Sequence, residues 1–162
     1  MGLLTDSFFI TALRSNTTLV AQLPAGDFYN NVAFPDENMV NVELPYIIVN
    51  NDGGGNLAET KDDMFESNED NVTISIRVVA RSRQDLADMV LAVRKTIRDY
   101  IIATQTRISN DTATGDDNLC PEEYSLQFSE VAFDMLKPSH TQILYYQCQT
   151  TNELFIDNEQ ED

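Results

Sequence analysis

Between residues 70 and 104 the hydrophobic period of the chain changes once. Val72, Ile74, Ile76, Val78 and Ala80 are apolar at every second position, with Thr73, Ser75, Arg77 and Arg81 between them and Val79 the one apolar intruder. A period of two predicts a strand with one face buried. From Leu86 the period lengthens. Leu86, Met89, Val90, Val93, Ile97, Tyr100 and Ile101 recur at steps of three and four, the stripe of an amphipathic helix. Ser82 is a good N-cap, and Asp85 three positions on completes an S-x-x-D form of the capping box. Asp88, Arg94, Lys95, Arg98 and Asp99 fall on the opposite face. A helix joined to a strand by almost no loop must fold back so that its stripe covers the strand's apolar face. That unit is the predicted nucleus of the core.

The flanking patterns are shorter. Residues 3–15 predict a helix, with Thr5 as cap, Asp6 at its positive end, Arg14 at its negative end, and Leu4, Phe8, Phe9, Ala12 and Leu13 as its apolar side. Residues 17–23 extend or end it before Pro24-Ala25-Gly26 breaks the pattern. Residues 27–34 predict a short strand, with Phe28, Val32 and Phe34 as candidates for burial. Residues 45–50 predict another, opening at Pro45, whose continuous run of Tyr46, Ile47, Ile48 and Val49 suits cover on both faces. Residues 51–70 then read as a long acidic connection. Gly53, Gly54 and Gly55 supply flexibility, seven acids face the single Lys61, and Met64 and Phe65 are the obvious anchors. Such a segment is a mobile arm or one that orders against a partner. Residues 105–122 form a polar loop. Tyr124, Leu126 and Phe128 alternate, and Val131 and Phe133 alternate in the opposite phase, a slip that a β-bulge at Ser129-Glu130 produces. Lys137-Pro138-Ser139 turns the chain into a last strand, 141–151, antiparallel to the one before. Ile143 and Tyr145 point one way along it, and Leu144, Tyr146 and Cys148 the other. The sum is one α+β domain over residues 1–152 and an acidic tail, 153–162, that frays.

Composition narrows the class. At 162 residues and 42% apolar, one domain buries roughly 70% of its unfolded surface. No apolar run approaches the ~18 residues of a membrane span, and no charged-then-apolar leader opens the sequence. Met1-Gly2 resembles a myristoylation start, but Asp6 stands where that motif wants Ser or Thr. Cys120 and Cys148 show no C-x-x-C spacing and are expected as two unpaired thiols in a reducing cytoplasm. The net charge of −17 is uneven: 12 acids against 2 bases in residues 1–70, 10 against 8 in 71–151, and 5 against none in 152–162. Phosphate backbones repel such a chain, so no direct nucleic-acid binding is expected.

Catalytic signals are poor. His140 falls in the predicted turn without a spaced metal or triad partner. The triple glycine lacks the G-x-x-x-x-G-K-[ST] pattern of a phosphate cradle, and the acids of 62–70 and 111–117 lack the calcium-loop pattern. Asp62-Asp63, Asp116-Asp117 and Glu122-Glu123 sit among polar residues, with nothing to split their pKa values into acid and base. No enzyme activity, cofactor or metal is expected. The bases say more, since six of the ten lie between residues 77 and 98. Their sharpest use is pairing with the acidic arm of a neighbouring copy, a contact between two different patches of the kind that closes rings.

The order of elements resembles that of the phage tail-completion or tail-terminator family, small proteins that cap the head-proximal end of a long tail. The residues carrying the likeness are the first helix running into Leu13-Arg14-Ser15-Asn16-Thr17-Thr18-Leu19-Val20, then Leu44-Pro45-Tyr46-Ile47-Ile48-Val49, a glycine-bearing polar excursion, and Val72 to Ser82 entering the helix from Gln84 to Ile101. A terminal pair of strands completes the order, so the likeness spans residues 3–152. The resemblance implies an α+β domain, a mostly antiparallel mixed sheet of about four or five strands backed on one face by two helices. It implies assembly into a homo-hexameric ring that ends tube polymerisation in the virion tail, after synthesis in a bacterial host's cytoplasm. The expected partners are further copies of the chain, the tail tube protein and the head or neck connector, with no nucleic acid and no membrane. Asp62, Asp63, Met64, Phe65 and Glu66 on the arm, and Arg94, Lys95 and Arg98 on the helix, are the interface candidates. The strong acidity leaves open a second class, a small DNA-mimic inhibitor or another non-enzymatic interaction module.

Overall fold

The computed structural model describes residues 4–24, 29–30, 43–56 and 68–151. The fold is α+β. Its elements are α1 (Thr5–Arg14), α2 (Thr17–Ala21), β1 (Tyr29–Asn30), β2 (Tyr46–Asn56), β3 (Glu69–Ala80), α3 (Arg83–Ser109), a 3-10 turn (Gly115–Leu119), β4 (Glu123–Phe128), β5 (Ala132–Asp134) and β6 (Ser139–Thr151). Five strands pair in the order β1-β2-β3-β6-β4, and the three-residue β5 continues the β4 side of β6. The sheet is mixed but mostly antiparallel. Among the described residues only the β1–β2 pair is parallel.

The register places the alternating residues on one face. Val72, Ile74, Ile76 and Val78 of β3 stand beside Cys148, Tyr146, Leu144 and Gln142 of β6, and Ile76 and Val78 beside Val49 and Ile47 of β2. Over that face lie α1 and α3. Phe9 of α1 meets the Tyr146 ring at 5.2 Å between centroids, and Phe8 meets Tyr100 of α3 at 5.3 Å. The stripe of α3 is buried as its spacing requires, from Leu86 through Met89, Val90, Val93 and Ile97 to Ile101. Asn16 ties the helices together. Its Oδ1 accepts from the Leu19 amide to cap α2, and its Nδ2 donates to Thr96 Oγ1 of α3 at 2.9 Å. The other sheet face carries a small second cluster of Leu44, Tyr46 and Val79, against which Ile48 packs.

Several boundaries depart from the sequence reading. The 51–70 connection is shorter than expected, because β2 runs on to Asn56 and β3 begins at Glu69. Two of the three glycines, Gly53 and Gly54, are required by the backbone there. At the bulge between Asn51 and Gly54, Gly53 adopts φ +87°, and a Cβ on Gly54 would lie 1.6 Å from the Asn71 carbonyl oxygen. Polar side chains hold the bulge: Asn51 Oδ1 accepts from the Gly53 amide, and Asp52 Oδ1 from Asn50 Nδ2 and Ser75 Oγ. Thr5 is the first helical residue of α1 and buried, and Leu4 holds the cap position. Ser82 does cap α3, its hydroxyl accepting from the Asp85 amide at 3.1 Å. That helix continues to Ser109, into the stretch expected as loop. The slip at 129–131 is present. Three residues there face two on β6 between the pairs Phe128–Leu144 and Ala132–Thr141. His140 lies in β6 rather than in a turn, its ring 4.9 Å from that of Phe133. Among the described residues no helix is long and apolar enough to cross a membrane.

Candidate interaction surfaces

Arg94, Lys95 and Arg98 stand exposed on α3, where the helical period places them opposite the buried stripe. With Leu91 of the same helix, Tyr124 and Leu126 of β4 and Tyr146 of β6, they line a cleft of about 250 Å³. The Arg94 guanidinium sits 4.9 Å from the centre of the Phe128 ring, a cation–π contact. Arg98 reaches the neighbouring Asp99 at 3.3 Å, an exposed pair that adds little stability. At the floor, Tyr146 is 1% exposed, and its hydroxyl has no hydrogen-bond partner among the described residues. Burial pushes the phenol's pKa well up, so the hydroxyl remains a donor at neutral pH.

A second surface was not legible as one. Alternation across 124–133 assigns Phe128, Val131 and Phe133 to a half-buried strand. In the structure all three are exposed, as are Met135 at 83% and Leu136 at 99%. The cause is position. β5 continues past the bulge to the sheet's corner, and the turn after it is shaped by Asp134 Oδ1 accepting from the Leu136 amide. The result is an apolar hairpin tip with five large side chains in nine residues. The cue in the sequence is Met135-Leu136 directly ahead of a Lys-Pro turn, an apolar pair where turns are ordinarily polar.

A groove of about 530 Å³ opens elsewhere. It is lined by Gln22 and Pro24 after α2, Leu44 and Pro45 before β2, Ala80 at the end of β3 and Arg81 after it, and Asp85, Asp88 and Met89 on the first turns of α3. Its apolar members are Pro24, Leu44, Pro45, Ala80 and Met89.

Some of the described acids have structural uses. Asp117, expected as a solvated loop residue, is 7% exposed. Its two oxygens accept from Arg107 Nε and an Arg107 terminal nitrogen, both at 2.9 Å, and Oδ2 also accepts from the Thr114 amide. Hydrogen bonding to Arg107, then to Thr114, holds this carboxyl below the usual range. At the start of β3, burial and then the adjacent Glu122 raise the pKa of Glu69. Cys120 and Cys148 are free thiols, each pushed up to about 12 by burial, which leaves neither as a nucleophile at neutral pH. The arm candidates Asp62, Asp63, Met64, Phe65 and Glu66 lie outside the described residues, whereas Arg94, Lys95 and Arg98 share one cleft.

No protein-family model and no curated protein matches the sequence.

Proposed function

We propose that this chain is a structural ring subunit of a phage or prophage tail, which caps the head-proximal end of the tail tube and joins it to the head. The observation that carries the reading is the hairpin tip of Phe128, Val131, Phe133, Met135 and Leu136. So much apolar surface on one projection is a contact surface that water does not suit. The groove at the start of α3 is its partner on a second copy. Tip and groove are different patches, one beyond the β5–β6 corner and the other on the α2–β2 side, so the contact can repeat head to tail, the arrangement that closes rings. The tail role itself rests on the order of elements that resembles tail-completion proteins. The acidic surplus fits a ring through which DNA passes without adhering.

Tube growth tests this. When the protein is added to polymerising tail tube protein from the same phage, electron microscopy is expected to show shorter tubes carrying a ring at one end. Tubes of unchanged length with bare ends would contradict the role.

A further inference from the structure

The cleft between α3 and β4 shares no lining residue with the groove at the start of α3. One part of its wall is apolar, from Leu91, Leu126 and the Tyr124 ring, and Leu91 is 65% exposed above it. The other part is cationic, from Arg94, Lys95 and Arg98. Beneath them the Tyr146 hydroxyl is buried with no acceptor among the described residues. A buried hydroxyl left unbonded is costly, and a ligand oxygen that accepts from it recovers that cost. A carboxylate carried beside an aliphatic or aromatic side chain answers all three features.

We infer that the cleft takes an acidic, apolar peptide segment, and that the segment is residues 152–162 of the same chain. That stretch holds Glu153, Asp157, Glu159, Glu161 and Asp162 with no base, around the apolar trio Leu154-Phe155-Ile156. It comes directly after β6, the strand that supplies Tyr146 to the cleft floor. From Thr151 back to Tyr146 is five strand residues, or about 17 Å. Eleven extended residues cover about 36 Å. The acidic residues 59–66 answer the cleft less well. They include Lys61 and are tied at both ends to β2 and β3, which lie on the far side of β6 from β4.

The test uses a fluorescent peptide of residues 152–162 and two full-length proteins. One is the natural chain; the other carries Leu154→Ser, Phe155→Ser and Ile156→Ser, which empties the cleft. By anisotropy the peptide is expected to bind the altered chain at least about tenfold more tightly than the natural one, with affinity falling as salt rises. Adding Arg94→Glu and Arg98→Glu to the altered chain is expected to abolish that binding at an unchanged melting temperature, because both side chains are exposed. Tyr146→Phe, which keeps the ring and removes only the hydroxyl, is expected to weaken it. Equal peptide binding to the natural and altered chains would overturn the assignment of the tail. Absence of binding to the altered chain at low salt, or binding indifferent to Arg94 and Arg98, would overturn the site.

Discussion

Asp117 and Gly54 both have the sequence surroundings of a loop, and both are fixed by contacts that a linear pattern does not display. Asp117 is held by an arginine ten positions earlier, on the last turns of α3, beyond the point where the apolar stripe of that helix ends. The pair has a pH signature. Its folded carboxyl titrates below the unfolded value, so its contribution is complete above about pH 4 and is lost as pH falls through the depressed value. Asp117→Asn is therefore expected to lower the melting temperature at pH 7, with the gap to the natural protein closing in acid. A gap of constant size down to pH 2 would mean that the ion pair contributes nothing. Glu69 has the opposite sign: its pKa is raised, so whatever it contributes falls as pH rises from the ordinary carboxylate value through the raised one. Gly54 looks flexible in the sequence because three glycines in a row carry no pattern. Its need for a bare Cα comes from Asn71 across the ladder, a partner that only the register reveals.

At the level of elements the strand–helix unit is where sequence and structure agree most closely. Both periods, the Ser82 cap and the α3 stripe are local signals, and packing enforces them. Ile97, wholly buried in the middle of that stripe, is expected to cost about 2–5 kcal/mol on replacement by Ala. Ile102, one residue past the stripe and exposed, is expected to stay within about 0.5 kcal/mol. Denaturant midpoints of the two variants compare them, and equal losses would mean that α3 is seated differently. The bulge at 129–131 was also legible, since a phase change in alternation is a local signal. The hairpin tip beyond the bulge was not legible. Phe133 keeps the alternation of a buried strand but lies at the sheet's corner, and whether a helix covers a given strand end depends on where α1 and α3 cross the sheet. The same limit made the cleft invisible. Arg94, Lys95 and Arg98 stand out in the sequence as a charged face, but the Tyr146 hydroxyl beneath them comes from a strand about fifty residues later in the chain.

For the whole molecule, charge and apolar surface are sorted into separate regions. Residues 71–151, which supply most of the described core, carry nearly balanced charge, while the surplus acid lies in residues 1–70 and 152–162. The exposed apolar tip and the groove at the start of α3 are distinct patches, so association through them can repeat head to tail, and an open chain of copies would leave one tip and one groove unfilled until a ring closes. Native mass across a range of protein concentrations reads this out, for the natural chain and for one carrying Met135→Ser and Leu136→Ser. The natural chain is expected to form a hexamer that becomes more populated with concentration, and the double variant to remain monomeric with an unchanged melting temperature. A dimer as the largest species would contradict the ring, and a hexamer that the two substitutions leave intact would contradict assembly through the hairpin tip.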